Sequence, residues 1–374
     1  MKFSVSSKVL LTHISAVSKV VVSKSPIAIL NNFLFELPGD DTLVVTGSDT
    51  ENTLIARIPV ESVEGTGSFA INVKKLLDLF KEMPDQGVTF EVSDTFEIDI
   101  KCLNGSYKFA GYNGAEYPKL APQEDDAYTM TVPACEIPRG LEKTMFAAGT
   151  DAMRPQMMGV LWDIKEDSIV FVSSDTHKLA RYIDRAVAPG IEGSFILPTK
   201  PASVLSGICE KEEGDVVVSF DSKSVLFKTQ TYTLSCRFIN GKYPNYNAVI
   251  PQVNSYVVTV DRNTLLNVAK RVSIFATDAG LLQFSISENK INLKAQDPNL
   301  LSNAEEYLNC EYSGEDLTMG FNKDRLIEVL NSINSETILI KMSGSGRPGL
   351  FLPAEQKEDE DWVILLMPMS IGNM

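Results

Sequence analysis

Histidine is almost missing from this chain: 374 residues hold only His13 and His177. That scarcity removes the commonest general acid–base side chain from most of the sequence. Asp175 and His177, two apart on an expected strand, would share a face and mimic an acid–base pair, but no Ser or Cys nucleophile motif accompanies them. No H-E-x-x-H, EF-hand loop or carboxylate cluster is present, so neither a metal nor a cofactor is expected. Gly344-Ser345-Gly346-Arg347-Pro348-Gly349 lacks the G-K-[ST] of a phosphate cradle and reads as a flexible loop. The chain is therefore not expected to be an enzyme. Five cysteines (Cys102, Cys135, Cys209, Cys236 and Cys310) are scattered without a C-x-x-C pair, which fits reduced cytosolic thiols better than disulfides or zinc. No stretch approaches the roughly 18 apolar residues of a membrane helix. Met1-Lys2-Phe3-Ser4-Val5 has no apolar signal core, so a cytoplasmic protein without membrane contact is expected.

Positive charge is also short. The net charge is −15, which taken alone argues against nucleic acid as a partner.

What the chain does have is repetition. Gly47-Ser48-Asp49-Thr50 aligns with Ser173-Ser174-Asp175-Thr176, and Asp49 and Asp175 lie 126 residues apart. At the same offset Ser68-Phe69-Ala70-Ile71-Asn72-Val73-Lys74 aligns with Ser194-Phe195-Ile196-Leu197-Pro198-Thr199-Lys200, and Glu116-Tyr117-Pro118 with Lys242-Tyr243-Pro244. A weaker third copy runs through Ala295-Gln296-Asp297 and Thr318-Met319-Gly320-Phe321-Asn322-Lys323. Each copy reads as helix, strands, helix, strands. Val9, Leu10, Ile14, Val17 and Val21 recur at helical spacing, and Leu76, Leu77 and Phe80 do so before Pro84-Asp85 stops the second helix. Segments such as Thr42–Thr46 and Thr95–Ile100 alternate like half-buried strands. Segregated helices and strands define an α+β fold of three repeated domains, each with two helices on antiparallel sheets. The polar, proline-led stretches beginning at Pro122 and Pro251 divide it into residues 1–124, 125–253 and 254–374.

Location resolves the charge conflict. Windows 7–24, 73–82, 137–150, 199–211, 262–275 and 322–333, the six expected helices, hold 15 Lys/Arg against 6 Asp/Glu. That balance of +9 leaves −24 for the remainder of the chain. Basic helices facing phosphates would give binding independent of base sequence. The plainer alternative is that lysine merely solvates exposed helix faces.

The opening Met1-Lys2-Phe3, Ser174-Asp175-Thr176-His177-Lys178-Leu179-Ala180, Gly241-Lys242-Tyr243-Pro244-Asn245-Tyr246 and Met367-Pro368-Met369 carry a family resemblance. In this order and spacing the chain resembles the bacterial DNA polymerase III beta subunits, the beta sliding clamps, along essentially its whole length. The resemblance implies a DNA clamp fold, and a nucleoid-associated head-to-tail homodimer that closes as a ring around double-stranded DNA and slides on it. It implies DNA contacts at Lys24, Lys74, Lys75, Arg154 and Lys200. It implies a dimer interface at Phe109, Ile274 and Phe275, although buried core inside one domain is the commoner fate of such residues. It further implies a pocket for short peptides at Met157, Ser174, Thr176, His177, Lys178, Leu179, Pro244, Val249, Leu365, Met367, Pro368 and Met369. Its ligands would be linear motifs of the replicative polymerase alpha subunit, the clamp loader delta subunit, other polymerases and mismatch-repair proteins. Met367-Pro368-Met369 reads equally as a terminal strand packed in the third unit, and both roles are compatible. Pro155-Gln156, Ala248, Ser370 and the tail Gly372-Asn373-Met374 depart from the family pattern, which bears on peptide preference. A scaffold without DNA, built from the same repeat, is the alternative function.

Overall fold

The computed structural model describes residues 1–22, 24–120, 123–124 and 126–371. The first expected boundary, at Pro122 and Asp125, and the tail from Gly372 lie outside them. The chain folds as two compact units: Met1–Pro138 with Lys200–Phe238, and Arg139–Thr199 with Ile239–Met374. The middle third contributes to both.

The described residues hold six α-helices: α1 (Ser7–Val17), α2 (Val73–Glu82), α3 (Glu136–Met145), α4 (Thr199–Cys209), α5 (Arg262–Ser273) and α6 (Lys323–Ser332). Side-chain caps explain several starts. Asn72 accepts from Lys75 N at 3.0 Å, Asp261 from Thr264 N at 2.7 Å, and Asn322 from Asp324 N and Arg325 N. Expectation and structure agree on α2 to the residue. They differ at α1, which stops at Val17 instead of continuing to Lys24, with Ser18 as its C-cap. The following Val20-Val21-Val22 is β-branched and poorly suited to a helix. At Gly47 the C-terminal end of α1 comes so close that a Cβ would lie 2.7 Å from Val17 Cγ1.

Unit 1 contains a nine-stranded antiparallel sheet. Its order is Tyr112–Asn113, Gly67–Asn72, Asn32–Leu37, Thr42–Ser48, Asn52–Pro59, Tyr232–Arg237, Ser224–Lys228, Asp215–Phe220 and Tyr128–Pro133. A second sheet orders Ser62–Glu64, Lys2–Ser6, Gly87–Val92, Glu97–Cys102 and Gly105–Ala110. Unit 2 contains an eight-stranded sheet, ordered Gly193–Pro198, Gly159–Lys165, Ser168–Ser174, Lys178–Asp184, Glu360–Leu366, Gly349–Pro353, Thr337–Met342 and Tyr256–Asp261. Its four-stranded sheet runs Ser302–Asn309, Lys290–Asp297, Leu281–Ser287 and Leu317–Asn322.

The threefold repeat is visible in this order. In each unit one inter-repeat pairing continues a sheet: Asn52–Pro59 against Tyr232–Arg237, and Lys178–Asp184 against Glu360–Leu366. The strands equivalent to these partners are Ser302–Asn309 and Gly105–Ala110. Among the described residues, each of those two is the last strand of its sheet.

Alternation sorts the sheets into two faces. In unit 2, Trp162 is opposite Phe171 and Phe195, and Tyr182 is opposite Phe171 and Trp362. These bulky side chains are buried on the helix side, where Gly140 of α3 sits so near the Phe171 ring that a Cβ would lie 2.5 Å from it. In unit 1, Phe3 and Phe90 stack at 4.7 Å and Phe35 and Phe69 meet at 5.3 Å.

Candidate functional site

Each inter-repeat junction begins at a hairpin closed by an aspartate. Asp49 Oδ1 accepts from Glu51 N and Asn52 N at 3.1 and 2.7 Å. Asp175 Oδ1 accepts from His177 N and Lys178 N at 2.8 and 2.7 Å, and Asp297 Oδ1 from Asn299 N and Leu300 N. Thr50 and Thr176 occupy left-handed backbone at φ +80° and +78°. Asp175 and His177 thus belong to a turn, not a strand, with one carboxylate oxygen of the aspartate held by main-chain donors and the other facing Lys178 and Arg325. The acid–base pair weighed on sequence grounds does not form.

The face of the unit 2 sheet opposite the aromatic core carries a second apolar cluster. Ile196, Leu161 and Val172 follow one another across the strands, and the row continues through Arg181 to Val363. The next row is Ser174, Leu179, Leu365 and Leu350. Tyr243 and Ile250, from the segment following Gly241, bury themselves on this face, with Ile239 and Tyr246 beside them. Burial pushes the Tyr243 hydroxyl well above its usual pKa. Tyr246 donates to Asp163 at 2.7 Å, and Arg181 pairs with Asp361 at 2.8 Å at the polar border of the cluster.

Of the expected pocket residues, Ser174, Leu179 and Leu365 share this face. Pro244 is exposed and Val249 is 50% exposed on the covering segment. Met367 is 39% exposed, and its N–H donates to His177 O at 2.8 Å, joining the hairpin tip to the end of the last strand. Thr176 and His177 stand exposed at that tip. Met157 is half-buried, its carbonyl accepting from Gly149 N at 2.8 Å. Pro368 is half-buried, and Met369 bridges Gly320, as terminal-strand packing requires.

Lys178 does not belong with them. It lies one residue from Leu179, so its side chain leaves by the opposite face, where it is 7% exposed and pairs with Glu328 of α6 and with Asp175 at 3.6 Å. Sequence reasoning missed Leu161, Val172, Val363 and Leu350. The period-two steps from Ser174 and Leu365 lead to Val172 and Val363.

The same place in unit 1 is chemically different. There the rows read Leu34, Thr46, Ile55, Thr233 and Ser48, Thr53, Ser235. Thr53 and Ser235 stand where unit 2 has Leu179 and Leu365. The strand pairing evidently requires no apolar pair there, so packing within the sheet does not account for the two leucines.

Lys24, Lys74 and Lys75 are exposed and line one concavity of unit 1, together with Lys81, Lys108, Tyr107 and Phe109. Lys24 adopts φ +65°. Lys200 is engaged: it pairs with Asp49 at 2.8 Å and donates to Val20 O at 3.1 Å. Burial raises the Asp49 pKa, but hydrogen bonds from Lys200 and Asn52 outweigh this and hold it below the usual carboxylate value. Arg154 is exposed in unit 2. With the observed helix limits, the six helices hold 12 Lys/Arg and 6 Asp/Glu, an excess of +6. The reduction from +9 comes from Lys19 and Lys211, two residues past helix ends, and Lys24 in the connection after α1.

Phe109 is half-buried on a free edge strand, while Ile274 is 77% and Phe275 37% exposed just past α5. They are not the intradomain core that was the alternative for them.

A repeated α+β unit that joins strand to strand at each junction, leaving one complementary edge at each end of the series, defines a clamp-type protein. Residues 1–121, 131–245 and 247–370 match the N-terminal, central and C-terminal domain models of the DNA polymerase III beta subunit, and the chain belongs to that family. It is 23% identical to the beta sliding clamp of Staphylococcus aureus over 380 residues, with 99% of each chain covered. A crystal structure of a sliding clamp from Pseudomonas aeruginosa bound to griselimycin superposes with a TM-score of 0.93 at 24% identity, covering 99% of this chain and 100% of that one. The beta subunit of Streptococcus pyogenes DNA polymerase superposes with a TM-score of 0.93 at 21% identity, with the same coverage.

Proposed function

We propose that this chain is a cytoplasmic, nucleoid-associated DNA sliding clamp, the non-catalytic processivity subunit of the replicative polymerase. Two copies join head to tail as a ring that encircles duplex DNA, slides without sequence preference and tethers partner proteins. The division into domains 1–124, 125–253 and 254–374 belongs to this reading. The observation that carries it is the pair of unpartnered, equivalent edges among the described residues. Asn52 faces Cys236, and Lys178 faces Leu366, across the two internal junctions. The same register brings Ser302 of one copy opposite Phe109 of the next, and Ala304 opposite Tyr107. Cys236 and Leu366 are buried by their neighbours, as Phe109 would be once paired, with Ile274 and Phe275 packing beside it.

DNA contact falls to Lys24, Lys74, Lys75, Arg154 and Lys200 through phosphates, which confer salt-sensitive affinity without base readout. Lys200 ranks below the free lysines because phosphate must compete with Asp49 for it. The apolar face of unit 2 takes the partner peptides. Leu179, Leu365, Val249 and Met367 offer an adaptable surface to leucine or phenylalanine side chains, and Ser174, Arg181 and exposed main chain orient polar ones. The ligands are motifs of the polymerase alpha subunit, the clamp loader delta subunit, other polymerases and mismatch-repair proteins.

The test is topological. Loaded onto circular DNA, the protein should remain bound at near-physiological salt and be lost when the circle is cut once. Equal loss from circular and linear DNA rejects the reading. Phe109→Arg and Ile274→Arg should each yield monomers, and dimers persisting at micromolar concentration reject the seam.

A further inference from the structure

The third hairpin departs from the other two. After its aspartate it is two residues longer, and Pro298-Asn299-Leu300-Leu301 replaces Thr50-Glu51 and Thr176-His177. Leu300 is 75% and Leu301 92% exposed, and Leu301 holds φ +50°. A branched apolar side chain in left-handed backbone is unfavourable for the isolated chain, and full hydration of two adjacent leucines adds to the cost. Local folding explains neither choice.

We propose that Leu300 and Leu301 form an apolar latch that closes on Ala110 and Tyr112 of a second copy at the dimer seam. The inference rests on the head-to-tail reading and specifies an element of that contact. In the first hairpin Glu51 O accepts from Arg237 N at 2.9 Å, and in the second His177 O accepts from Met367 N at 2.8 Å. Leu301 is the equivalent of Glu51 and His177, and Ala110 the equivalent of Arg237 and Met367. The pattern pairs Leu301 O with Ala110 N of the second copy. Two residues beyond each donor the chain returns to a sheet: Ile239 N bonds Ile196 O, Met369 bridges Gly320, and Tyr112 pairs with Ala70. Ile239 packs against the apolar cluster of unit 2, whereas Tyr112 is left 56% exposed beside the free edge. The bare leucines and the bare tyrosine are thus the two halves of one contact. The outer-face positions next to the tip are polar or charged, Asn303 and Glu305 on one edge and Lys108 and Ser106 on the other, with exposed Tyr307 farther along, so the tip supplies apolar burial that the strands lack beside it.

The test measures dimer dissociation by sedimentation for the full chain. Leu301→Asn is the primary variant because asparagine tolerates left-handed backbone better than leucine, so the fold should hold or gain thermal stability. Leu301→Asn, Leu300→Ser and Tyr112→Ser should each raise the dimer dissociation constant about tenfold. Leu301→Asn combined with Tyr112→Ser should fall short of the product of the single effects. Phe109→Arg serves as the control for the seam itself. If Leu300→Ser with Leu301→Asn dimerises like wild type while Phe109→Arg is monomeric, the latch is refuted and the seam stands. If Phe109→Arg also dimerises like wild type, the seam reading has failed first. Unchanged dimerisation with weakened DNA retention or peptide binding would assign the leucines to another partner and overturn the latch.

Discussion

His13 of α1 and Tyr232, 219 residues later in the chain, share a hydrogen bond of 2.8 Å between Nδ1 and the phenolic hydroxyl, inside unit 1. Burial lowers the His13 pKa below 6.5, and the charge of Glu212 only partly opposes it. Burial also pushes the Tyr232 hydroxyl up to about 12, so the phenol stays protonated. The folded state therefore prefers neutral imidazole. Its contribution to stability is complete above about pH 6.5 and is lost as pH falls from there through the lower folded value. A thermal midpoint measured from pH 7.5 to 5 should decline less in His13→Gln than in wild type. Parallel curves would show that His13 does not carry this dependence.

Lys178 should matter for folding and not for ligand capture. Its ammonium is nearly buried against Glu328, which is itself 42% exposed. Glu328→Gln leaves that charge with Asp175 alone and should cost about 1–3 kcal/mol, moderated by solvent around Glu328. Peptide affinity should be unchanged, because the pair lies on the helix side of the sheet. A weakened peptide with intact stability would reverse this assignment.

The polar junction of unit 1 can be written into unit 2. Leu179→Thr with Leu365→Ser copies Thr53 and Ser235. Each substitution should cost about 1–3 kcal/mol of stability from lost apolar burial. Affinity for a polymerase-derived peptide should fall about tenfold or more. The oligomeric state should persist. Calorimetric titration that returns wild-type affinity would remove the apolar face from consideration as the peptide site.

The seam register can be fixed covalently. Leu54 faces Leu234 and Ala180 faces Ile364 at the two internal junctions, so Ala304 should face Tyr107 between copies. With Ala304→Cys and Tyr107→Cys in one chain, mild oxidation should give a species of twice 41.1 kDa that reduction returns to one. Facing strand positions suit the separation a disulfide needs. Cross-linking that instead favours Ala304→Cys with Phe109→Cys would indicate a shifted register.

Much of this architecture was legible in the sequence because repetition constrains it three times over. Asp49 and Asp175 marked equivalent positions of the repeat, although the strand expected through Asp175 is a hairpin turn and the cap at Asn72 shows only in the structure. The apolar face proposed for peptides is only partly legible. Ser174, Leu179 and Leu365 lie on it, but the motif that groups Lys178 with its sequence neighbours hides that alternation sends it to the other side. Leu161, Val172 and Val363 carry no motif; they are recognisable only once the strand register shows which positions line up across the sheet. The charge bias survived with a smaller margin, because Lys19, Lys24 and Lys211 belong to connections whose boundaries depend on capping and β-branching. Lys200 reads as a free lysine in sequence, and its tie to Asp49 spans 151 residues that local pattern does not bridge.

Both tryptophans, Trp162 and Trp362, reside in unit 2, where each is almost completely shielded from water. Indole emission is consequently blind to the other half of the molecule. During denaturation it tracks unit 2 alone, whereas far-ultraviolet dichroism sums both. Any gap between the two melting curves would give, without a label, the extent to which one unit comes apart before the other.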